Sequence, residues 1–418
     1  MANTATSIYF GGSSSYKIVI DGTTSGLNLN VGNAYGDNTF EMWLHPDYDG
    51  SEASPMIWGM NTDNVQFAWS NSSQHHYWQA SALTNGDTGT NSVPNDSWSH
   101  LAWLFLGRNL FVFVNGVLSG SDLFTSDITI ENLKLATNPG TAEGNWFRGY
   151  MDQIRWTKKA RYGNVDIPSG LLSTSQNAGR GQNALLPHHT RLLIQSNTTN
   201  ASTTFSDVTG RSVVTVNGTN VYHTTDESHP YSNSVFYTSG TGYLTVPDSA
   251  TFDYGTEDWS WDWWLKPKTQ GSDNWYCMQN CTNAGNIGFN YNSSTGIRAL
   301  IEASPGWTTL STATLTNDLW EHWIMGRVNG MMFLCRNGQL QAVRSYSTTM
   351  NASGNLSIGA QPNGNYDSDS YWQDFRVCIG QSAYTPHFNP YGSQKNVVHN
   401  RGGAVTDARL ASANTHAI

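Results

Sequence analysis

WSHLAWLFLGRNLFVFVNGVL occupies residues 98–118, and WEHWIMGRVNGMMFLCRNGQL occupies residues 320–340, which is 222 positions later. Each stretch contains two apolar runs joined by a short turn, and each second run ends in Asn-Gly, at Asn115-Gly116 and at Asn337-Gly338. Asn-Gly beside an apolar run is a strong hairpin signal, because both residues tolerate a positive φ. The two stretches therefore predict one antiparallel hairpin in two copies of the same domain.

Other landmarks of the sequence repeat at nearly the same interval. Trp43-Leu44-His45-Pro46 returns as Trp264-Leu265-Lys266-Pro267, 221 positions later. A period this long excludes a solenoid, whose units are about 20–50 residues long. Each copy is instead large enough to fold around its own core.

The composition favours strands over helices. The 418-residue chain has 17 Trp, 19 Tyr and 15 Phe, so its charged content of only 12% does not predict disorder. Apolar residues alternate in Phe40-Glu41-Met42-Trp43-Leu44, as in a strand with one face on a core. We find no apolar repeat that predicts a helix longer than two turns. Many short strands predict an all-β fold of two tandem antiparallel β-sandwiches, each with about a dozen strands.

The repeat also gives the expected domain boundaries. We expect a first sandwich over residues 1–165, a linker over 166–189, a second sandwich over 190–392 and a C-terminal tail over 393–418. The second copy opens with an additional strand-like run, Arg191-Leu192-Leu193-Ile194, which the first copy lacks. Because an open sheet edge pairs readily with another chain, we expect the tail after Pro390 or a neighbouring subunit to cover that edge of the first sandwich.

Charge and targeting signals exclude several classes of protein. The net charge is −10 and no basic cluster occurs, so we expect neither nucleic-acid binding nor attraction to an acidic membrane. No run approaches the roughly 18 apolar residues of a membrane-spanning helix. The first residues have neither the basic region nor the apolar core of a secretory signal. We therefore expect a protein that is made and folded in a cytoplasm.

Cysteine usage gives no disulfide framework common to the two copies. All four cysteines, Cys277, Cys281, Cys335 and Cys378, lie in the second copy. Cys277 and Cys281 lack the further Cys/His pair that would complete a metal site. We expect free thiols, packed in strands where they fall within one.

The order of the motifs in both copies resembles a known family. It runs from a strand with x-x-F and Y-[IL]-x-[IV] through W-[IVL]-x-P, W-x-H and the Asn-Gly hairpin to D-x-[IF]-R-[IVW]. In the second copy its most specific parts are Arg191-Leu192-Leu193-Ile194, Phe205-Ser206-Asp207, Tyr243-Leu244-Thr245-Val246-Pro247, Phe375-Arg376-Val377 and Ala383-Tyr384-Thr385-Pro386. This order resembles the tandem laminin-G-like, concanavalin A-like jelly-roll domains of tailed-phage virion and tail-fibre proteins. The likeness covers most of residues 7–162 and 190–390.

The resemblance implies a jelly-roll sandwich in each copy and a non-enzymatic role. We expect a structural or adhesive protein of a phage particle: a capsid decoration, a fibre or a tail appendage. Its expected partners are other virion proteins, copies of itself and host surface glycans, and its expected location is the virion. An alternative is a cell-surface or secreted carbohydrate-binding module, which would need an export signal.

A third reading, a glycoside-active enzyme, would need two carboxylates on one strand face. Glu41, whose counterpart is Asp262, stands alone on its strand, and Glu302 has no partner nearby in sequence. We expect these carboxylates to be solvated. The sequence also lacks a G-x-S-x-G nucleophile elbow, so we predict no catalytic residue. His100 and His322 recur two residues after a tryptophan, which indicates a packing or hydrogen-bonding role.

Two stretches could bind a ligand. His75, His76, Tyr77 and Trp78 could stack on a sugar ring and hydrogen-bond to its hydroxyls; alternatively, Tyr77 and Trp78 fill the core of a strand. Asp367 and Asp369 offer carboxylate oxygens of the kind that calcium prefers. The resemblance adds that some laminin-G-like domains hold calcium at a sandwich rim, and the alternative is a polar loop. We expect no other cofactor.

Overall fold

The computed structural model describes residues 7–21, 29–49, 54–60, 65–79, 86–130, 132–138, 144–166, 168, 170–175, 181–282, 285–303, 306–312, 315–386 and 416–417. Their regular structure consists of 28 β-strands and one short 3-10 helix, Ala250–Phe252. The predicted all-β fold is therefore confirmed. In the same residues, no helix is both long and apolar enough to cross a membrane.

The chain divides into two compact units. Unit one comprises Met1–Gly163 with His387–Ile418, and unit two comprises Asn164–Pro386. The described residues of the expected linker, 166–189, lie in unit two. Leu172 and Leu185 are buried there, and the Leu172 amide donates a hydrogen bond to Asp374 Oδ2 at 2.8 Å.

Unit one is a sandwich of two antiparallel sheets. The strands of the first sheet, in spatial order, are β1 (Ile8–Gly11), β12 (Arg148–Thr157), β3 (Asn38–Pro46), β8 (Ser99–Leu106), β9 (Asn109–Val114) and β10 (Val117–Leu123). Those of the second sheet are β2 (Ile18–Asp21), β11 (Asn132–Leu135), β4 (Met56–Met60), β5 (Gln66–Ser70), β6 (His75–Gln79) and β7 (Gly86–Asp87).

Unit two is a larger sandwich. The path of its first sheet is β15 (Val221–Thr224), β16 (Val235–Thr238), β27 (Asp369–Ile379), β18 (Trp259–Thr269), β23 (Glu321–Val328), β24 (Met331–Arg336) and β25 (Gln339–Ser345), and β13 (Thr190–Ile194) also pairs with β27. Its second sheet is β14 (Thr215–Asn217), β17 (Tyr243–Val246), β26 (Asn351–Ile358), β19 (Asp273–Thr282), β20 (Gly285–Asn292), β21 (Gly296–Ala303) and β22 (Gly306–Thr312).

The two units share a common set of strands in the same spatial order. Each strand of unit one from β1 to β12 has a counterpart in unit two, whose additional strands are β13, β14 and β15. The opening strand expected around Arg191 is β13. In unit one, a short strand at His416–Ala417 (β28) pairs with Arg155 and Trp156 of β12. It occupies the same side of β12 as β13 occupies on β27, the counterpart of β12.

Aromatic side chains fill the space between the sheets. In unit one, Phe40 of the first sheet packs against Trp58 of the second with ring centroids 4.7 Å apart, and Trp58 stacks on Phe67 at 4.0 Å. In unit two, Phe289 lies 4.8 Å from Trp263 and 4.9 Å from Trp323. Such ring pairs each add about 0.5–1.5 kcal/mol beyond the area that they bury.

Candidate functional site

The predicted sugar-binding stretch forms β6, where side chains alternate between the core and the surface. His76 is completely buried. Its Nε2 accepts a hydrogen bond from Trp103 Nε1 at 2.8 Å, and its Nδ1 lies 2.9 Å from the carbonyl oxygen of Ala68. Because Nε2 is an acceptor, Nδ1 carries the proton and donates it to that carbonyl. Burial lowers the pKa of His76 to about 3, so this histidine is a neutral part of the core.

Trp78 also belongs to the core. Its Nε1 donates a hydrogen bond to Asp122 Oδ2 at 2.9 Å. Its ring packs directly on Gly86 and Gly120: an added Cβ would lie 2.5 Å from the ring at Gly86 and 2.3 Å from it at Gly120. The prediction that His76 and Trp78 contact a sugar is therefore wrong, because neither side chain reaches the surface. The core alternative was right for Trp78.

The remaining two members of that stretch face outward. His75 and Tyr77 are partly exposed, and their ring centroids lie 6.2 Å apart. Their role in binding stays a prediction.

The predicted calcium ligands, Asp367 and Asp369, lie at the start of β27. Asp369 begins β27, and its two carboxylate oxygens accept hydrogen bonds from Tyr237 at 2.7 Å and Thr269 at 2.8 Å. Asp367 precedes β27, and its carbonyl oxygen accepts a hydrogen bond from Asn274 at 2.6 Å. Among the described residues, no group of three or more His, Cys, Asp or Glu side chains could hold a metal ion. Calcium binding at Asp367 and Asp369 stays a prediction.

Glu41 is buried in an ionic cluster, and the expectation that it is solvated is wrong. It is only 2% exposed. It accepts hydrogen bonds from Arg155 Nε at 2.6 Å, from Arg161 and from the Tyr162 hydroxyl, and His100 Nε2 lies 3.3 Å away. Burial raises the pKa of Glu41, but the favourable contacts with His100, Arg155 and Tyr162 hold it below its usual value.

Unit two repeats this cluster around Asp262, which is also completely buried rather than solvated. Arg376 donates to both Asp262 oxygens at 2.9 Å, and the Tyr384 hydroxyl donates at 3.1 Å. His322 Nε2 lies 3.6 Å from the same carboxylate. The predicted structural role of the recurring histidines is confirmed. Each cluster neutralises one carboxylate below the surface, as a buried charge requires.

An outward-facing tyrosine pair recurs in both units and was missed in the sequence. Tyr9 of β1 lies opposite Tyr150 of β12, with ring centroids 4.9 Å apart. Tyr237 of β16 lies opposite Tyr371 of β27 at 5.1 Å. Tyr150 and Tyr371 are 221 residues apart, the interval of the repeat, so the recurrence of a tyrosine at this position was the available signal.

In unit one the pair belongs to a surface cluster that we call aromatic face one, formed by Tyr9, His45, Trp98 and Tyr150. The His45 ring lies 5.3 Å from Trp98 and 5.7 Å from Tyr150. Tyr9 is 42% exposed, and Trp98 and Tyr150 are partly exposed. The sheet thus presents several ring surfaces to the solvent side by side.

In unit two the pair extends into aromatic face two, formed by Tyr222, Tyr237, Tyr371 and Lys268. The three tyrosines lie on the adjacent strands β15, β16 and β27, and all are partly exposed. Tyr222 lies 5.4 Å from Tyr237, and Lys268 Nζ lies 5.1 Å and 5.5 Å from the ring centroids of Tyr237 and Tyr371.

Neighbouring groups shift the pKa values of Lys268 and Tyr237 in aromatic face two. Burial lowers the pKa of Lys268, but Tyr237, Tyr371 and Asp369 outweigh that effect and raise it above its usual value. Burial and the hydrogen bond to Asp369 raise the pKa of Tyr237. The face thus places the Lys268 amine and the Asp369 carboxyl group beside three phenol rings.

Comparison with known families matches both units. The family model Laminin_G_3, described as concanavalin A-like lectin/glucanases superfamily, matches residues 21–163 and 238–378. No curated protein sequence matches the chain.

Solved structures with a similar fold include three of different origin. Domain 4 of an extracellular arabinanase from Geobacillus stearothermophilus, in complex with arabinotriose, is 16% identical, with a TM-score of 0.38 over 47% of this chain and 94% of that one. The binding domain of Paraclostridial Mosquitocidal Protein 1 is 12% identical, with a TM-score of 0.37 over 48% of this chain and 50% of that one. Domains LG4-5 of the mouse laminin alpha1 chain are 12% identical, with a TM-score of 0.28 over 90% of this chain and 88% of that one.

Proposed function

This chain belongs to the concanavalin A-like lectin/glucanases superfamily, and from its laminin-G-type matches in both units we propose that it is a non-enzymatic carbohydrate-binding protein. The observation that carries the proposal is the outward tyrosine pair at the same place in each unit. Exposed apolar residues that lie side by side in one patch often mark a surface that contacts a ligand or a partner.

The chemistry of the two aromatic faces suits sugars. A phenol or indole ring offers an apolar surface for the C–H face of a pyranose, and its polar end remains available for hydrogen bonds. In aromatic face two, Lys268 and Asp369 add a donor and an acceptor beside the rings. Such a set of flat rings with a few polar groups at the edge holds a sugar without needing a deep pocket.

Binding without cleavage agrees with the position of the acidic residues. Cleavage of a glycosidic bond requires two carboxyl groups that reach opposite sides of one sugar linkage. The carboxylates of the central strands β3 and β18, Glu41 and Asp262, are buried and paired with arginines. This arrangement supports a binding role over the alternative of a glycoside-active enzyme.

We further propose that the protein serves on a phage particle, as a capsid decoration, fibre or tail appendage that contacts host glycans and other virion proteins. The support is the order of the sequence motifs, which resembles that of tandem domains in tailed-phage proteins. The alternative is a cell-surface or secreted binding module. Quantitative mass spectrometry of purified virions tests the setting: high copy number indicates a decoration, a few copies indicate a tail part, and absence contradicts the phage proposal.

A glycan array of host capsular and cell-wall polysaccharides tests binding itself, followed by calorimetry with the best oligosaccharide. We expect Tyr150→Ala and Tyr371→Ala each to weaken binding at their own face about tenfold, which is about 1.4 kcal/mol. Leu319→Ala, at an exposed position outside both faces, is the matched control. If no glycan binds the wild-type protein, or if only Tyr77→Ala weakens binding, the aromatic faces are not the site.

A further inference from the structure

In unit two, the outward tyrosine pair already contacts an ammonium group. Nζ of Lys268 lies 5.1 Å from the ring centroid of Tyr237 and 5.5 Å from that of Tyr371. A cation within about 6 Å of a ring centroid is attracted by the negative face of the ring. This arrangement of two tyrosines is therefore one that holds an organic cation.

The tyrosine pair of unit one has a similar geometry. The rings of Tyr9 and Tyr150 lie 4.9 Å apart at an interplanar angle of 50°, against 5.1 Å and 40° for the pair of unit two. Arg148 donates a hydrogen bond to the Tyr9 hydroxyl, at the edge of that ring. Among the described residues, no lysine or arginine lies over the face of Tyr9 or Tyr150. These two ring faces can therefore receive a cation from a ligand.

An acidic residue of unit one takes the position of Lys268. Asp47 precedes Lys268 by 221 residues, the interval of the repeat. The Asp47 amide donates a hydrogen bond to the carbonyl oxygen of Arg148 at 3.2 Å, so the pairing of β3 with β12 extends to this residue. Because alternate residues of a strand share a face, Asp47 lies on the same side of the sheet as His45 of aromatic face one. Where unit two supplies its own ammonium group, unit one has a carboxylate.

The other charges on this side of unit one are also mainly negative. Arg148 forms an ion pair with Asp49, which balances its charge. Asp152 follows Tyr150 by two positions in β12, so both side chains are on the same face of the strand. The residue of unit two at the position of Asp152 is Gln373, which is neutral. Aromatic face one thus has an acidic setting that aromatic face two lacks.

We propose that aromatic face one binds the ammonium group of a ligand, either a protonated amine or a quaternary ammonium group. The group would lie over the Tyr9 and Tyr150 rings, as the Lys268 ammonium lies over their counterparts. Asp47 and Asp152 would supply the opposite charge. The inference concerns the charge of the bound group and does not depend on that group being part of a sugar.

Choline chloride is a suitable probe, because 3,3-dimethyl-1-butanol has the same shape without the charge. Saturation-transfer NMR of the full chain, titrated with each compound at constant ionic strength, gives the two affinities. We expect choline to bind about tenfold or more tightly than the neutral alcohol, since only the cation interacts with the ring quadrupoles and the carboxylates. Equal affinities, or no choline binding to the wild type, overturn the proposal.

Exchanging the charges of the two units tests where choline binds. Asp47→Lys should supply unit one with its own ammonium group and weaken choline binding about tenfold or more. The double variant Asp47→Lys/Lys268→Asp should regain binding at unit two. Choline binding to that double variant should then be lost on adding Tyr371→Ala and kept on adding Tyr150→Ala.

Asp248→Lys, at an exposed position of unit two, makes the same change in net charge and is the matched control. It should bind choline like the wild type. Circular dichroism and thermal unfolding show whether each variant keeps its fold. If a folded Asp47→Lys variant binds choline as tightly as the wild type, or if Asp248→Lys weakens binding equally, aromatic face one is not the site.

Discussion

His76 is held neutral inside unit one, and this has a consequence for stability in acid. Its pKa is about 3 in the folded protein, below the ordinary value of about 6.5 that applies to the unfolded chain. As the pH falls below about 6.5, the unfolded chain takes up a proton that the folded chain does not accept until the pH nears 3. Unit one is therefore stabilised at neutral pH relative to acid, and the difference grows as the pH falls between these two values.

We predict that the free energy of unfolding of unit one falls by up to about 1.4 kcal/mol per pH unit through this residue between about pH 6.5 and pH 3. Urea unfolding from pH 7 to pH 4, with hydrogen-exchange labelling to separate the peptides of the two units, measures that slope. His76→Gln should reduce the slope, although it also lowers stability at pH 7. His188→Gln, at an exposed position, is the control. An unchanged slope in His76→Gln would show that the buried imidazole is not responsible.

At the scale of single elements, sequence patterns predicted most strands but not their environment. The hairpins β9–β10 and β24–β25 were predictable, because the turns at Asn115-Gly116 and Asn337-Gly338 and the apolar run before each turn are local features. The orientation of β6 was not. Alternation shows that His76 and Trp78 share a face, but a shift of one residue exchanges the buried face with the exposed one.

The ionic clusters were unpredictable for a related reason. Glu41 and Arg155 lie on strands far apart in the sequence that become neighbours only in the sheet. From the sequence alone, a single carboxylate on a strand is predicted to be solvated, because its partner on another strand is not visible. The recurring tyrosine pair had a visible signal in the repeat itself, but only pairing with β1 and β16 identifies it as a surface feature.

The close approach of β6 and β10 at Trp78 gives a prediction at this scale. Gly120→Ala would place a Cβ 2.3 Å from the Trp78 ring, so the ring must move and the sheets separate locally. We expect a loss of about 1–3 kcal/mol in the stability of unit one, as for other overpacked cores. Thermal and urea unfolding measure it. Gly144→Ala is the matched control, because no atom lies within 4 Å of its added Cβ. Equal effects of the two substitutions would mean that Trp78 is easily displaced.

At the scale of the whole molecule, the duplication preserves the framework and the tyrosine pair, while the edges differ. Unit two has the additional strands β14 and β15, and the described part of unit one has no counterpart to them. Each chain carries one aromatic face in each unit, so even one copy presents two groups of exposed rings. Several weak sites on one particle bind a repetitive glycan surface far more tightly than one site binds a free sugar.

In each unit, the last strand of the common framework lies in the middle of its sheet, and this affects when the unit can fold during synthesis. β12 lies between β1 and β3, and β27 lies between β16 and β18, so the strand that leaves the ribosome last in each common framework is a central one. Until it emerges, β1 lacks its described neighbour in unit one, the pair β15–β16 is separated from β18 in unit two, and the aromatic core has a gap. Each unit therefore closes only when its synthesis is nearly complete. A chain that stops before residue 148 or residue 369 lacks the strand that joins its first sheet together.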